Sequence, residues 1–451
     1  MNENNHILAD ERVGRLLVSL STPAMIGMFV TALYNVVDTI FVGRGVGTLA
    51  IAGIAIVFPI QMVVMAIAQM LGIGGAAMIS IALGAGDYPK AEKTFGNVLM
   101  LVVGFGIIMA TLGNIFIDEL LRIFGASNTI LPYSKDYASI ILYGTVFFSF
   151  AMTSNSIVRS EGRAIMAMVS MLVSAILNII LDPIFIFGFG WGIKGAAWAT
   201  VISQFTAVIY LLIYFSAGKS SLKIKPKDLL LETKIVTEIL AIGSASFLRQ
   251  ISTSIMVIFM NHTLRIYGGD LAIAIFGIMH RILMFISMPI FGIAQGLQPI
   301  TGFNYGAKRY EKAKRVLHLS IQATTIIGIT GAVIIVLFPR ILLSVFTTDQ
   351  NLIEIGSRAL RIFIIALPFT GFQVVGTTLF QAIGKARQAL ELTVGRQVVL
   401  IALVFLLSHW FQLDGIWVAF PLADFLFFFV VLALYLPQLH EFDNQIKALE
   451  E

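Results

Sequence analysis

The chain repeats itself. Residues 49–94 align without a gap on residues 271–316, a constant shift of 222 positions. The tetrapeptide Leu-Ala-Ile-Ala begins at Leu49 and again at Leu271, and the sequence Gly84-Ala85 recurs as Gly306-Ala307. A duplicated, very apolar chain of this length is typical of a two-lobed membrane transporter. Both copies start on the same side, which predicts parallel copies related by an axis along the membrane normal.

The composition excludes a water-soluble globule. The chain is 58% hydrophobic and 12% charged, with a mean hydropathy of +0.92, whereas a soluble domain has about 25% charged residues. It has no cysteine and six histidines. Disulfides, thiolate metal sites and cysteine nucleophiles are therefore excluded, and the scattered histidines have no metal-ligand spacing. We expect no cofactor.

Apolar segments predict an all-α integral membrane protein. Each segment reaches the roughly 20 residues that cross a bilayer core, and only helices satisfy their own backbone groups there. The twelve predicted helices cover residues 15–42, 49–80, 91–118, 132–157, 163–188, 192–217, 234–265, 271–304, 312–338, 352–380, 386–411 and 413–437. The repeat groups them into two pseudo-symmetric six-helix lobes, residues 1–217 and 234–451 including a short tail. Residues 218–233 form the predicted linker.

Lysine and arginine predict the orientation. They concentrate in the connections at 85–93, 159–163, 217–234, 306–315 and 384–387. Because the side with more lysine and arginine is cytoplasmic, we predict a multi-pass protein of the inner (plasma) membrane with both termini and the linker in the cytoplasm. These basic runs have a plain explanation as topology determinants and lipid-headgroup contacts, so we expect no nucleic-acid partner.

Two aspartates lie in apolar segments of the first lobe. Asp38 is near the outer end of helix 1 and Asp182 near that of helix 5, whereas their repeat counterparts are Met260 and Val404. A buried charge in a membrane helix is costly and usually faces a cavity or a partner. The asymmetry indicates where a coupling ion binds.

Other polar side chains occur at the same depth. Asn178 lies one turn before Asp182, Thr200 lies two turns into helix 6, and Pro183 can free a carbonyl group. Such oxygens could bind sodium, or two close carboxylates could share a proton. The structural alternative is that Asp38 caps a helix end and Asp182 begins an Asp-Pro turn.

The second lobe carries different polar groups within its apolar segments. Arginine cannot lose its proton in a protein, so each arginine is expected to reach water or a partner, and the aspartate could pair with one of them. A structural ion pair and a role in gating or substrate contact remain alternatives. These residues are Arg249, His280, Arg281, Arg396 and Asp424.

These motifs together resemble the multidrug and toxic compound extrusion (MATE) family over essentially the whole chain. The residues that carry the resemblance are Pro23, Tyr34-Asn35-x-x-Asp38-Thr39-x-Phe41-Val42-Gly43, Asn178-x-x-x-Asp182-Pro183, and Gln298-Pro299-Ile300-x-Gly302-x-Asn304-Tyr305-Gly306-Ala307. The resemblance implies a V-shaped transporter that exports organic cations in exchange for protons or sodium. Its first-lobe cation site corresponds to Asp38, Asn178, Asp182 and Thr200. Another branch of the family has carboxylates on helices 7 and 10 of the second lobe, and this chain has none in those membrane spans. The chain is therefore similar to the bacterial branch that is coupled through the first lobe.

The expected function is therefore secondary multidrug efflux of amphipathic organic cations by antiport with protons or sodium, performed by a monomer. Pro23 lies about four turns before Asp38 and lacks a backbone donor, so we predict a hinge there, while the linker accommodates rocking of the lobes. A lipid-linked saccharide flippase is the alternative; its phosphate would need a strongly basic cavity. An enzyme is not expected, since no loop supplies clustered acids or a Ser/His set, and no phosphate-binding loop indicates ATP coupling.

Overall fold

The computed structural model describes residues 6–451, apart from the side chains of His6 and Thr48. The first five residues of the predicted first lobe lie outside the described residues. The described part contains the twelve long apolar helices that the sequence predicts, and shorter helices at their ends. We number the twelve α1 to α12 in chain order.

The first lobe is built from six separate helices. Their bounds are α1 Val13–Gly45, α2 Thr48–Gly84, α3 Tyr88–Ile115, α4 Leu131–Ser160, α5 Ala164–Pro183 and α6 Gly192–Ser216. A turn separates α2 from α3, and the Asp87 carboxylate caps α3 by accepting from the backbone N–H of Lys90. After Pro183, which has no N–H, α5 continues as a π-helical turn, Ile184–Gly188.

The second lobe merges two helix pairs into continuous runs. Thr233–Gly306 contains α7 and α8, separated at Gly269, where φ is 65°. Then follow α9, Tyr310–Leu337, and α10, Gln350–Ala382. Ala386–Glu450 contains α11 and α12, separated at Gln412, where φ is 51°. The first break lies between the predicted helices 234–265 and 271–304, and the second lies at the one residue between the predicted helices 386–411 and 413–437.

Three buried apolar cores define how the lobes meet. We call the end of the bundle that holds the connections 85–87, 161–163, 217–232, 307–309 and 383–385 the basic end, and the opposite end the far end. At the far end each lobe has its own core: residues such as Val57 and Ile193 in the first, and Phe276 and Trp417 in the second. At the basic end a single core contains residues of both lobes, such as Ile79 with Ile300. The lobes therefore join at the basic end and separate toward the far end.

The predicted linker is fastened to the first lobe. Asn97 on α3 donates a hydrogen bond to the Leu230 carbonyl (3.2 Å) and accepts one from the Glu232 backbone N–H (2.8 Å). At the start of the segment, the Ser220 hydroxyl and the Ser221 backbone N–H donate to the buried carboxylate of Glu161 at 2.7 and 2.6 Å. The boundaries at 217 and 234 remain a prediction. Because both ends of the segment are tied to the first lobe, it is suited to move with that lobe.

Candidate functional site

The four predicted first-lobe residues come together near the far end, between α1, α5 and α6. Asp182 is 0% exposed and Asn178 is 2% exposed. The Asn178 amide donates to the Asp182 carboxylate (3.3 Å) and to the Thr200 hydroxyl (3.4 Å). Asp38 is half-buried on α1, and its carboxyl group lies beside that of Asp182. Residues far apart in sequence thus form one polar cluster within an apolar lobe.

The local sequence explains this arrangement. Asp38 lies two turns before the end of α1, which places it at the same level of the bundle as the end of α5. Asp182 occupies the last turn of α5, and Pro183 with the following π-helical turn ends the regular hydrogen bonding there. Asn178 is one turn earlier on the same helix face, and therefore lies directly beside Asp182.

Three buried oxygens of this cluster accept no hydrogen bond from any described residue. They are one carboxylate oxygen each of Asp38 and Asp182, and the amide oxygen of Asn178. Buried acceptors are rarely left unsatisfied in proteins, and such atoms call for a chemical explanation. Carboxylate and amide oxygens are ligands that a small hard cation prefers. Adjacent carboxylates are equally suited to hold a proton between them, so the donor set fits either ion.

Two tyrosines beside the carboxylates were not identified from the sequence. Tyr34 is half-buried and precedes Asp38 by one turn on α1, and Tyr137 on α4 is 4% exposed and lies next to Gln61. The four-residue spacing was a signal for Tyr34, since it predicts a shared helix face. Nothing in the sequence marked Tyr137, because its place depends on how α4 packs.

The second-lobe candidates do not form one site. Arg396 and Asp424 pair at 2.7 Å, and the buried Asp424 also accepts from Gln373 through its backbone carbonyl at 2.7 Å. Arg249 is half-buried on α7, whereas His280 and Arg281 are exposed on α8, His280 beside Phe276. Among the described residues, none of these last three side chains makes an ion pair.

Pro23, the predicted hinge, is buried within α1, which is one helix from Val13 to Gly45. Its ring removes one hydrogen bond from the helix ladder. The structure therefore places the weakened turn in the basic half of α1 and the Asp38 carboxylate in the far half. Whether α1 bends there stays a prediction.

A two-lobed bundle of membrane-spanning helices that is joined at one end, with a buried cluster of polar side chains inside one lobe, is the architecture of a membrane transporter. Comparison with known proteins identifies its family. The MatE family model matches residues 23–184 and 242–407, one stretch in each half, and the chain belongs to this family. The resemblance seen in the sequence is confirmed, as is the fold of twelve helices in two lobes arranged in a V.

Similar proteins cover nearly the whole chain. The multidrug export protein MepA of Staphylococcus haemolyticus is 29% identical over 94% of this chain and 94% of its own length. MepA of Staphylococcus aureus strain MRSA252 is 28% identical over 90% and 89%. A solved structure described as the outward-facing conformation of a multidrug resistance MATE family transporter matches 98% of this chain and 99% of its own. Its TM-score is 0.92 at 29% identity.

Proposed function

We propose that the protein is a secondary antiporter of the plasma membrane that exports amphipathic organic cations. The coupling ion, a proton or sodium, binds at Asp38, Asn178, Asp182 and Thr200. The observation that carries this proposal is the group of three buried oxygens without hydrogen-bond donors in this cluster. The names of the similar multidrug export proteins support the efflux of chemically varied compounds.

The coupling follows from the position of the cluster. A bound cation neutralises the two carboxylates and removes the cost of keeping them charged in an apolar lobe. Neutralisation then lets α1 bend at Pro23, which narrows the first-lobe side of the cleft and expels the substrate. Since ion and substrate favour different conformations, their binding is mutually unfavourable, as antiport requires.

The test is dye efflux from cells or proteoliposomes. Asp38→Asn and Asp182→Asn should each insert normally and lose efflux, whereas wild-type export should respond to a collapsed proton gradient or to removal of sodium. The matched control is Asp136→Asn, which makes the same chemical change on α4 at an ion pair with Lys194, outside the cluster. Export at the wild-type rate by both cluster variants would disprove the site assignment.

The flippase alternative has weaker support. A phosphate-bearing lipid would need several free cations in the central cavity, yet Arg396 is neutralised by Asp424. Only Arg249 and Arg281 remain as candidates, and Arg281 is exposed on α8. Flipping of a lipid-linked saccharide in proteoliposomes, without ion-dependent dye export, would favour this function instead.

A further inference from the structure

A small cavity lies between the lobes at the basic end, remote from the ion cluster. Its volume is about 200 Å³. Met78 and Ile81 of α2 and Ile242 of α7 form apolar walls, and Gly384 closes one side. We call this space the seam cavity. Because α2 belongs to one lobe and α7 to the other, its width depends on the distance between them.

Backbone contact between the lobes closes the seam cavity toward the middle of the protein. A Cβ atom added to Gly74 would collide with the Ile239 carbonyl group, and one added to Gly243 would collide with that of Met70. Therefore α2 and α7 touch backbone to backbone between Ile239 and Gly243 of α7, next to the wall that Ile242 forms. A molecule that enters from the basic end meets this contact as the barrier to the central cleft.

One cation and one anion stand at the rim of the seam cavity. Lys90 of α3 and Glu238 of α7 are 4.0 Å apart and about half exposed, a geometry that contributes at most about 1 kcal/mol. The backbone N–H of the same lysine donates to the Asp87 carboxylate that caps α3. By contrast, Glu238 has no other ion pair or side-chain hydrogen bond within residues 6–451. Its carboxylate can thus change partner at little cost.

We propose that the seam cavity is the first binding site of the transported amphipathic cation, with its apolar part against Met78, Ile81 and Ile242 and its positive group on Glu238 in place of Lys90. This inference rests on the proposed export of organic cations. The thioether of Met78 adapts to differently shaped apolar groups. Drug-sized sites usually have about 300–1,000 Å³, so a smaller cavity takes only part of such a molecule while the lobes are closed.

Occupancy of the seam cavity has a mechanical consequence. A ligand inserted between α2 and α7 acts as a wedge, because it contacts both lobes on the open side of their backbone contact. Binding energy gained by separating the walls favours the conformation whose basic end is open. The seam cavity therefore links arrival of the cargo to opening of the path toward the cleft.

The direct test is protection of a cysteine in the seam cavity. Since the chain has no native cysteine, Ala241→Cys introduces a single reactive thiol in its wall. Ethidium should slow the alkylation of this thiol by a maleimide several-fold. Ser216→Cys, exposed at the same end but outside the cavity, should show no protection. Adding Glu238→Gln should abolish protection by ethidium, and adding Lys90→Ala should preserve or increase it.

Transport kinetics give a second measurement. Glu238→Gln should raise the KM for ethidium about tenfold, the loss of one charge-assisted contact, with kcat unchanged. Glu311→Gln, which removes a basic-end carboxylate elsewhere, should leave both constants unchanged. The inference is overturned if ethidium gives no protection, if Glu238→Gln keeps the protection, or if an anionic dye protects better.

Failure of this inference can be distinguished from failure of the proposed function. Protection of the cysteine requires binding only, so it should persist in Asp38→Asn, which is expected not to transport. Protection in a protein whose export ignores both ion gradients would retain the seam cavity and refute the antiport. Ion-coupled export without any protection would refute binding in the seam cavity and retain the antiport.

Discussion

The crossing of α2 and α8 at the basic end is reciprocal, and this leads to our most specific prediction. Gly84 faces the carbonyl group of Phe303, while Gly306 faces that of Ile81. Under the 222-residue shift Gly84 corresponds to Gly306, and Ile81 to Phe303. Each contact is therefore the pseudo-symmetric copy of the other. Together they form a pseudo-symmetric contact between the two lobes.

A methyl group at either glycine should prevent this approach. A Cβ atom at Gly84 would lie 2.7 Å from the Phe303 carbonyl carbon, and one at Gly306 would lie 2.8 Å from that of Ile81. Carbon atoms pack at about 3.5–4.0 Å, so the helices must separate by roughly 1 Å. Overpacking of this kind costs about 1–3 kcal/mol. If a cost of about 2 kcal/mol applies only to the conformation whose basic end is closed, the ratio of closed to open protein falls about 30-fold.

The measurement is the distance between spin labels across the lobes. Cysteine pairs at Ser216 and Arg315 report on the basic end, and pairs at Thr129 and Thr348 report on the far end. Gly84→Ala and Gly306→Ala should each lengthen basic-end distances and shorten far-end distances, to a similar extent. Gly277→Ala is the matched control, since it lies on α8 with open space around it. Folded Gly84→Ala and Gly306→Ala proteins with wild-type distances would refute the reasoning.

Two further predictions concern buried charges. Burial raises the pKa of Glu161, which lies outside the membrane spans, from 4.5 to about 7, although bonds from Ser220, Ser221 and Tyr214 lower it. Burial thus favours the protonated form of Glu161 in the folded state, so the stability of the protein should fall by up to about 3 kcal/mol as pH rises from about 5 to 7. The glutamine of Glu161→Gln is neutral at every pH. Thermal melting of this variant should therefore not show the loss. Arg396→Ala, which leaves Asp424 buried without its ion-pair partner, should cost about 3–5 kcal/mol of stability. The double change Arg396→Met with Asp424→Leu should restore most of it without altering the number of ions exchanged per substrate; a changed stoichiometry would contradict a purely structural pair.

Sequence patterns predicted the helices well because hydrocarbon leaves a spanning chain few options. They also predicted that Asp38, Asn178, Asp182 and Thr200 meet, since all four lie at one depth. The break between α11 and α12 falls at Gln412, the one residue between the predicted helices 386–411 and 413–437. Gly415 packs closely against the Leu407 carbonyl group, whereas the positive φ that interrupts the helix occurs at Gln412.

Side-chain partners in the second lobe depended on packing that no local pattern encodes. Three arginines were candidates to pair with Asp424, and 28 positions separate it from Arg396, its actual partner. Likewise, the seam cavity joins helices from both lobes, and no motif marks Glu238. Nor does any motif of the predicted linker mark its attachment to Asn97, which hydrogen-bonds the linker backbone on both sides of residue 231.

The two copies of the repeat are alike where they touch and unlike at the proposed ion site. At the basic end both copies supply a glycine and a facing carbonyl group, because a two-sided contact closes only if neither side carries a Cβ atom. At the far end, Met260 and Val404 take the places of Asp38 and Asp182, and both are 0% exposed in the apolar core of the second lobe. One charged cluster is enough to bias a contact that both lobes share, since any bend of α1 moves one wall of the cleft relative to the other. A second cluster would bring another pair of carboxylates into the membrane, at a cost for each buried charge. In the proposed antiport, a charged cluster in one lobe is therefore sufficient to couple ion binding to alternating access through the symmetric contact of α2 and α8.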